Sequence, residues 1–324
     1  MAGPGEVLLE VRAVGLCGSD LHWFSDGAIG ETRLERPLVL GHEVTAIIAD
    51  GPRRGRRVAL DPAQPCGACP VCRSGREELC PATRFAGHGT TDGGLRRYLA
   101  WPETLLRDIP DAIGDPEACL LEALGVAIHA VDLAAIEPES RVAVVGCGPI
   151  GLLVVATLRA AGIAGIGAVE PLAHRRVAAE SLGATTTATD VDLEADVVLE
   201  CSGEAAAVEA AIRIARPAGR VVLVGIPGDD RTSFTASTAR RKGLTIVFSR
   251  RMLAADLDRA IALAATGRVD LRSLITDRFG LEDTAAAFAA AASRRGLNVV
   301  IEPGRGGPAD GPLPAGVLRA EPGG

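Results

Sequence analysis

Four cysteines, Cys66, Cys69, Cys72 and Cys80, stand as C-x2-C-x2-C-x7-C in a stretch of Pro, Gly and Ala. Thiolates at that spacing can converge tetrahedrally on one Zn²⁺ at about 2.3 Å, and a sphere filled by four protein ligands is structural. Three close cysteines plus a fourth also serve iron–sulfur clusters; a disulfide pair or four free thiols are the remaining readings. A second constellation is Gly146-Cys147-Gly148-Pro149-Ile150-Gly151, a G-x-G-x-x-G that follows the apolar run Val142–Val145 and opens a helical stretch. That context gives an otherwise weak motif its value. Gly146 permits a tight turn, Gly148 lets a pyrophosphate approach the backbone, and Gly151 allows close helix–strand packing. The phosphates then sit on the helix N-terminus, where Pro149 and Ile150 complete the cofactor-binding loop.

Nineteen residues after Gly151 stands Glu170. A carboxylate there accepts hydrogen bonds from a ribose diol and repels a 2′-phosphate, so NAD is expected rather than NADP. Arg175 and Arg176 keep NADP as the alternative; their other reading is a solvated helix face. Cys201-Ser202-Gly203 closes a strand, so Cys201 is expected to line the cofactor crevice, and Ile226 is a similar candidate beside the nicotinamide. Arg250, just past an apolar strand, faces either the interdomain cleft or solvent. Cys119, Cys147 and the Cys201 side chain read as small buried hydrophobes.

The elements that must position these groups change character along the chain. Glu6–Val14, Glu43–Ala49, Arg57–Leu60 and Leu95–Ala100 read as short β-strands rich in Val, Ile and Leu. From Arg141 onward, apolar runs at Val142–Val145, Ile166–Val169, Asp196–Leu199, Val221–Val224 and Leu244–Phe248 alternate with helical stretches at Ile150–Ala161, Ala173–Leu182, Ala205–Ala215 and Ala254–Ala265. Such alternation predicts a doubly wound parallel sheet covered by helices, an α/β Rossmann fold. After Thr276 a strand, a helix near Glu282–Ala292 and a final strand Asn298–Ile301 return toward the first domain. Seven Gly and five Pro in residues 302–324 predict a disordered tail.

With 324 residues and 48% apolar composition, two sizeable cores are possible. The net charge of -7 argues against a nucleic-acid partner, so Arg53, Arg54, Arg56 and Arg57 read as a charged turn. Lysine occurs once, at Lys242, and there is no P-loop motif, which nearly excludes lysine Schiff-base chemistry. The Val142–Leu158 stretch is apolar enough to mimic a membrane span but is broken by glycines and a proline; no membrane partner is expected. No signal peptide opens the chain, so the cytoplasm is the expected compartment, where cysteines serve metals or catalysis before disulfides.

Cys17-Gly18-Ser19-Asp20-Leu21-His22 and Gly41-His42-Glu43, together with the cysteine and glycine motifs, resemble the zinc-containing medium-chain dehydrogenases. The segments look closest to the sorbitol (L-iditol) and threonine dehydrogenases, and the resemblance runs from about Gly5 to Pro303. It implies a β-rich GroES-like catalytic domain at 1–124 with a return at 269–303, a Rossmann domain at 125–268 and a tail at 304–324. It further implies one catalytic and one structural Zn²⁺, with Cys17, His42 and Glu43 as catalytic-zinc ligands. Glu122 resembles the polyol enzymes' glutamate, which reaches the metal directly or through water, so whether Glu43 or Glu122 is the third ligand stays open. An open position at such a zinc lets it lower a substrate hydroxyl's pKa, with Ser19 as first proton carrier, His22 as outlet and hydride passing to NAD.

The implied substrate is a polyol or sugar-like secondary alcohol, followed by threonine and cyclitols or amino-cyclitols, and the implied assembly a homodimer or homotetramer. Relatives carry an opening hairpin before Pro4-Gly5-Glu6-Val7, a glycine where Ala46 stands, and G-D-R-V where this chain reads Gly55-Arg56-Arg57-Val58. An absent edge strand would expose backbone groups. A catalytically inactive zinc- and NAD-binding homologue, or an NAD-sensing regulator, is therefore the alternative; intact Cys17, Ser19, His42, Glu43 and Glu122 weigh against both.

Overall fold

The computed structural model describes residues 2–189, 193–228 and 230–305, and within them two separate sheets carry the candidate sites. The first is a mixed sheet with strand order Ile275–Gly280, Asn298–Glu302, Glu6–Gly15, Glu43–Ile48, Arg57–Leu60, Leu106–Asp108, and Tyr98–Pro102 also paired to Glu6–Gly15. Alternation in Glu6–Gly15 sends Val7, Leu9 and Val11 inward, against Ile48, Val58, Leu60 and Trp101. The strand is flanked on both sides: Leu9 pairs with Ile48 on one edge and Leu99 on the other, and Val14 with Val44 and Ile301. Ala46 is buried between its partners Val11 and Val58, so the sheet accepts its methyl group.

The second sheet has six parallel strands in the order Thr186–Ala188, Ile166–Val169, Val142–Val145, Ala195–Glu200, Ala215–Leu223, Thr245–Phe248. Counted along this domain the order is 3-2-1-4-5-6, the doubly wound arrangement whose switch point lies between Val142–Val145 and Ala195–Glu200. The Val142–Leu158 stretch divides into a fully buried strand and the helix Pro149–Ala160. No helix among the described residues is long and apolar enough to cross a membrane.

The two sheets meet at the helix Leu121–Leu133, which packs against Pro149–Ala160 and Ala254–Ala265. One core cluster runs through this seam, from Ala13 and Ala59 of the first sheet through Leu120, Leu124 and Ile128 to Val144, Leu152 and Leu257. The division between residues 124 and 125 falls inside this helix. The segment from 306 onward, most of the expected tail, lies outside the described residues. Arg53 and Arg56 both bind Asp108, at 2.8 Å, and Arg57 binds Asp115 at 2.7 Å, which makes the basic cluster a paired turn.

Candidate active site

Antiparallel pairing of Glu6–Gly15 with Glu43–Ile48 puts Gly15 opposite Glu43, and this register carries Cys17, two residues on, beside His42 and Glu43. One ligand atom from each of these three lies within 4.8 Å of the others. Two glycines make the approach possible. A Cβ on Gly15 would stand 2.1 Å from Glu43 Oε2, and Gly41, at φ 90°, would drive one to 2.7 Å from Val14.

Asp20, the third residue of the helix Gly18–Asp26, is fully buried beneath this group. Its Oδ2 accepts from the Cys17 N–H at 3.1 Å, its Oδ1 accepts from the Gly41 N–H at 3.1 Å, and Oδ1 lies 3.6 Å from His42 Nδ1. One carboxylate thus ties together both ligand-bearing segments and turns His42 so that Nε2 is left for a metal, the second-sphere arrangement typical of histidine ligands. Sequence reasoning quoted Asp20 within the motif and assigned it no role; an acidic residue in a helix's first turn looks like any other.

The electrostatics without a cation are unfavourable. Burial pushes the Glu43 carboxyl up to about 8, aided by the charge of Glu122, and burial likewise lifts Glu122 to about 7. Burial raises the Cys17 thiol as well. For His42 burial alone acts downward, yet the charges of Asp20 and Cys17 lift it well above its ordinary value. A divalent cation among these groups resolves the strain, and their donor set of thiolate, imidazole and carboxylate fits zinc. Glu122 is buried nearby on the Leu121–Leu133 helix but is outside the three-residue group.

The Cys66, Cys69, Cys72 and Cys80 ligand atoms also fall within 4.8 Å of one another. Sγ–Sγ separations of 3.4 Å (Cys69–Cys72), 3.9 Å (Cys69–Cys80) and 4.0 Å (Cys66–Cys72) straddle the ~3.8 Å edge of a tetrahedron with 2.3 Å Zn–S bonds. That space suits a single ion and is too small for a multi-iron cluster. None of the eight cysteines is in a disulfide. The Cys66 N–H donates to Cys80 Sγ at 3.4 Å and, as the main cause, holds that thiol down to about 6, a form ready to ligate.

At the carboxyl edge of the parallel sheet, the predicted cofactor residues come together. A Cβ on Gly151 would lie 1.9 Å from the Gly146 carbonyl, one on Gly146 2.8 Å from Ser202, and one on Gly203 2.3 Å from the Ile226 carbonyl. These loops are therefore packed backbone to backbone around the switch point, with Ile226 half exposed above them. Glu170 accepts from the Cys147 N–H at 2.8 Å and the Leu172 N–H at 2.9 Å, which fixes its carboxylate beside the glycine turn. Arg176 is spent on the Glu170 and Pro171 carbonyls, whereas Arg175 reaches 3.6 Å from a Cβ position on Gly148 with its buried Nε unpartnered. Burial lifts the Cys147 thiol to about 12 and the Cys201 thiol well above its usual range, as befits small apolar fillers.

His22 stands where the two domains face each other, its Cε1 3.4 Å from a Cβ position on Gly228 and its Nδ1 3.3 Å from Asp26. Ser19 is half-buried on the same helix. Phe85 lies 5.4 Å from the His42 ring, and Arg251, one residue beyond the predicted Arg250, covers the Phe85 face at 4.9 Å.

A Rossmann crevice facing a metal-ligand set across an interdomain cleft defines a dinucleotide-dependent metal oxidoreductase. Family models agree: an alcohol dehydrogenase GroES-like domain matches residues 3–111, and a zinc-binding dehydrogenase domain matches 149–266. The chain is 34% identical to the sorbitol dehydrogenase of Bacillus subtilis over 324 residues, covering 93% of this chain and 91% of that protein. Among solved structures it resembles Escherichia coli L-idonate 5-dehydrogenase (TM-score 0.86, 27% identity, 92% and 91% covered). It also resembles E. coli galactitol-1-phosphate dehydrogenase (TM-score 0.84, 26% identity, 94% of each chain). The chain belongs to the zinc-binding medium-chain dehydrogenase family.

Proposed function

We propose that this protein is a zinc-dependent oxidoreductase that transfers hydride from a secondary alcohol of a polyol or sugar-like substrate to NAD. The observation that carries it is the convergence of one ligand atom each from Cys17, His42 and Glu43, on the first sheet, within 4.8 Å of one another. When bound, zinc lowers the pKa of the substrate hydroxyl and NAD accepts the hydride at its nicotinamide. Cys17 Sγ, His42 Nε2 and a Glu43 oxygen would hold the catalytic ion, and Cys66, Cys69, Cys72 and Cys80 would hold a structural one. Asp20 keeps the His42 ring and the Cys17 backbone aimed.

Ser19 Oγ receives the hydroxyl proton, and His22, at the cleft mouth, passes it to solvent. Glu122 accepts from a neighbouring substrate hydroxyl, which favours a vicinal diol over a simple apolar alcohol. Gly146, Gly148, Pro149, Ile150 and Gly151 seat the pyrophosphate, Glu170 the adenosine ribose diol, and the Cys201 and Ile226 loops flank the nicotinamide. Names of relatives that act on sorbitol, idonate and galactitol phosphate support the polyol class. Exposed Phe248 on the edge strand Thr245–Phe248 supports a homo-oligomer, read as a dimer or tetramer by light scattering, and the cytoplasm is the proposed location.

The test is NAD reduction by the zinc-loaded protein against sorbitol, other polyols, threonine, a cyclitol and ethanol, with metal analysis. Two zinc ions per chain, polyol as best substrate and NAD bound more tightly than NADP are expected. Ethanol as best substrate, or a single zinc, overturns this reading.

A further inference from the structure

Arg251 is a cation near the metal-ligand group that the proposed mechanism leaves idle. It lies between the strand Thr245–Phe248 and the helix Ala254–Ala265, and its backbone is left-handed at φ 58°, a conformation a side-chain-bearing residue seldom adopts. The segment is pinned from both ends. Met252 is buried with its Sδ only 2.4 Å from a Cβ position on Gly125, and the Leu253 N–H donates to Asp256 at 2.9 Å. Gly125 is one helical turn from Glu122, so the contact that needs this glycine also holds Arg251 over the active-site side of the seam.

The guanidinium rests on Phe85, and among the described residues it makes no hydrogen bond and no ion pair; Nη1 is buried and unsatisfied. Arg250 alongside adds like charge, and Cys80, Glu122 and Asp61 are close enough to be felt electrostatically but do not pair with it. A half-buried guanidinium whose Nη1 is shut off from water without a partner is costly unless something else binds it. Its fork suits a carboxylate or a phosphate, which it can engage with two parallel hydrogen bonds. The 4.9 Å from Arg251 to Phe85 and 5.4 Å from Phe85 to His42 together bound the guanidinium carbon within about 10 Å of the His42 ring. At ~1.5 Å per carbon–carbon bond the three or four bonds of a four- or five-carbon chain span about 4.5–6 Å, and hydrogen-bond contacts of about 3 Å at each end cover the remainder.

We infer that Arg251 is a specificity-determining residue which, granted the polyol dehydrogenase reading above, selects a polyol carrying a terminal anionic group, with Arg250 reinforcing the charge. The test compares sorbitol, a hexonate and sorbitol 6-phosphate on the zinc-loaded protein and on Arg251→Gln and Arg251→Lys. In the parent, one anionic substrate should exceed sorbitol in kcat/KM by about tenfold or more, and which one identifies carboxylate or phosphate. Arg251→Gln should collapse that ratio through KM, and Arg251→Lys should restore part of it, a readout that a merely structural arginine would not give.

Sorbitol as the preferred substrate, or a ratio unmoved in both variants, overturns the inference. Should Arg251→Gln fail to fold, the lysine variant and the parent's own preference decide. Should no alcohol reduce NAD, the dehydrogenase reading falls, and calorimetric binding of hexonate and of sorbitol 6-phosphate decides this inference separately: either anion bound by the parent and weakened in Arg251→Lys supports it, and no binding of either removes it.

Discussion

Replacing Asp20 by Asn tests whether the geometry of the catalytic centre is set from beneath. The carboxylate is fully buried and both oxygens are occupied, each by a backbone N–H at 3.1 Å, with His42 Nδ1 a further 3.6 Å from Oδ1. Asparagine keeps the volume and one acceptor, but its amide nitrogen must then face the Cys17 or the Gly41 N–H, donor against donor. One charge-assisted hydrogen bond is lost, about 1.5–3 kcal/mol. Loss of a second-sphere partner ordinarily costs about 10–100-fold in metal affinity or activity, and tenfold corresponds to ~1.4 kcal/mol, so the two estimates coincide. Because no Asp20 contact reaches the four-cysteine lobe, the loss should fall on one ion only. Dialysis against graded chelator followed by metal analysis should find a concentration at which the parent keeps two zinc ions and Asp20→Asn keeps one, with kcat/KM reduced about 10–100-fold. A variant that holds both ions as firmly as the parent and turns over within about twofold of it refutes the orienting role.

Cys69→Ser should abolish folding, because it opens a four-thiolate site that contributes folding free energy directly, whereas Cys17→Ser should keep the parent's circular-dichroism melt and lose turnover; identical unfolding of both would refute the division of labour. Glu122→Gln keeps size and removes charge, and should lower kcat/KM for a vicinal diol about tenfold, one interaction of ~1.4 kcal/mol, while both zinc ions remain; unchanged kinetics would detach Glu122 from substrate. In the metal-stripped protein the native state holds protons that the unfolded chain releases: Glu43 near 8 and Glu122 near 7 against ordinary carboxyls, and His42 raised above its usual value. Stability of the stripped protein should therefore fall as pH rises from about 5 to about 8, and zinc should flatten that slope by stabilising the deprotonated ligands; thermal melts with parallel pH dependence in both forms would contradict this.

Chemistry written as local spacing was legible in the sequence. The four cysteines sit within one loop region, and the glycine turn with Glu170 within one strand–helix–strand unit, so spacing nearly determines geometry. Elements defined by long-range packing were harder. Thr186–Ala188 was missed because a half-exposed threonine-rich edge strand lacks an apolar run, and Leu106–Asp108 because three residues carry no period. The helix Leu121–Leu133 went unannounced because it is buried through most of its length, which erases the amphipathic rhythm. The sequence leaves both Glu43 and Glu122 open as third ligand, and only the strand register shows Glu43 grouped with Cys17 and His42; Arg251, with its left-handed backbone, is announced by no spacing in the sequence.

These differences follow from how the centre is assembled. Cys17, His42, Glu43 and Asp20 come from the paired strands Glu6–Gly15 and Glu43–Ile48, the turns beside them and the helix Gly18–Asp26, all in the domain of the first sheet. Glu122 and Arg251 depend instead on the seam, where Gly125 receives Met252 and His129 binds Asp256 at 3.3 Å. A side chain larger than hydrogen at Gly125 would displace Met252, and with it the segment carrying Arg251, while leaving every metal ligand in place. The candidate zinc ligands thus sit within the first sheet, and Glu122 and Arg251 at the domain interface. On the roles proposed for Glu122 and Arg251, substrate preference rests on the domain interface, which can change through Gly125 and Met252 while the candidate zinc ligands stay on the first sheet.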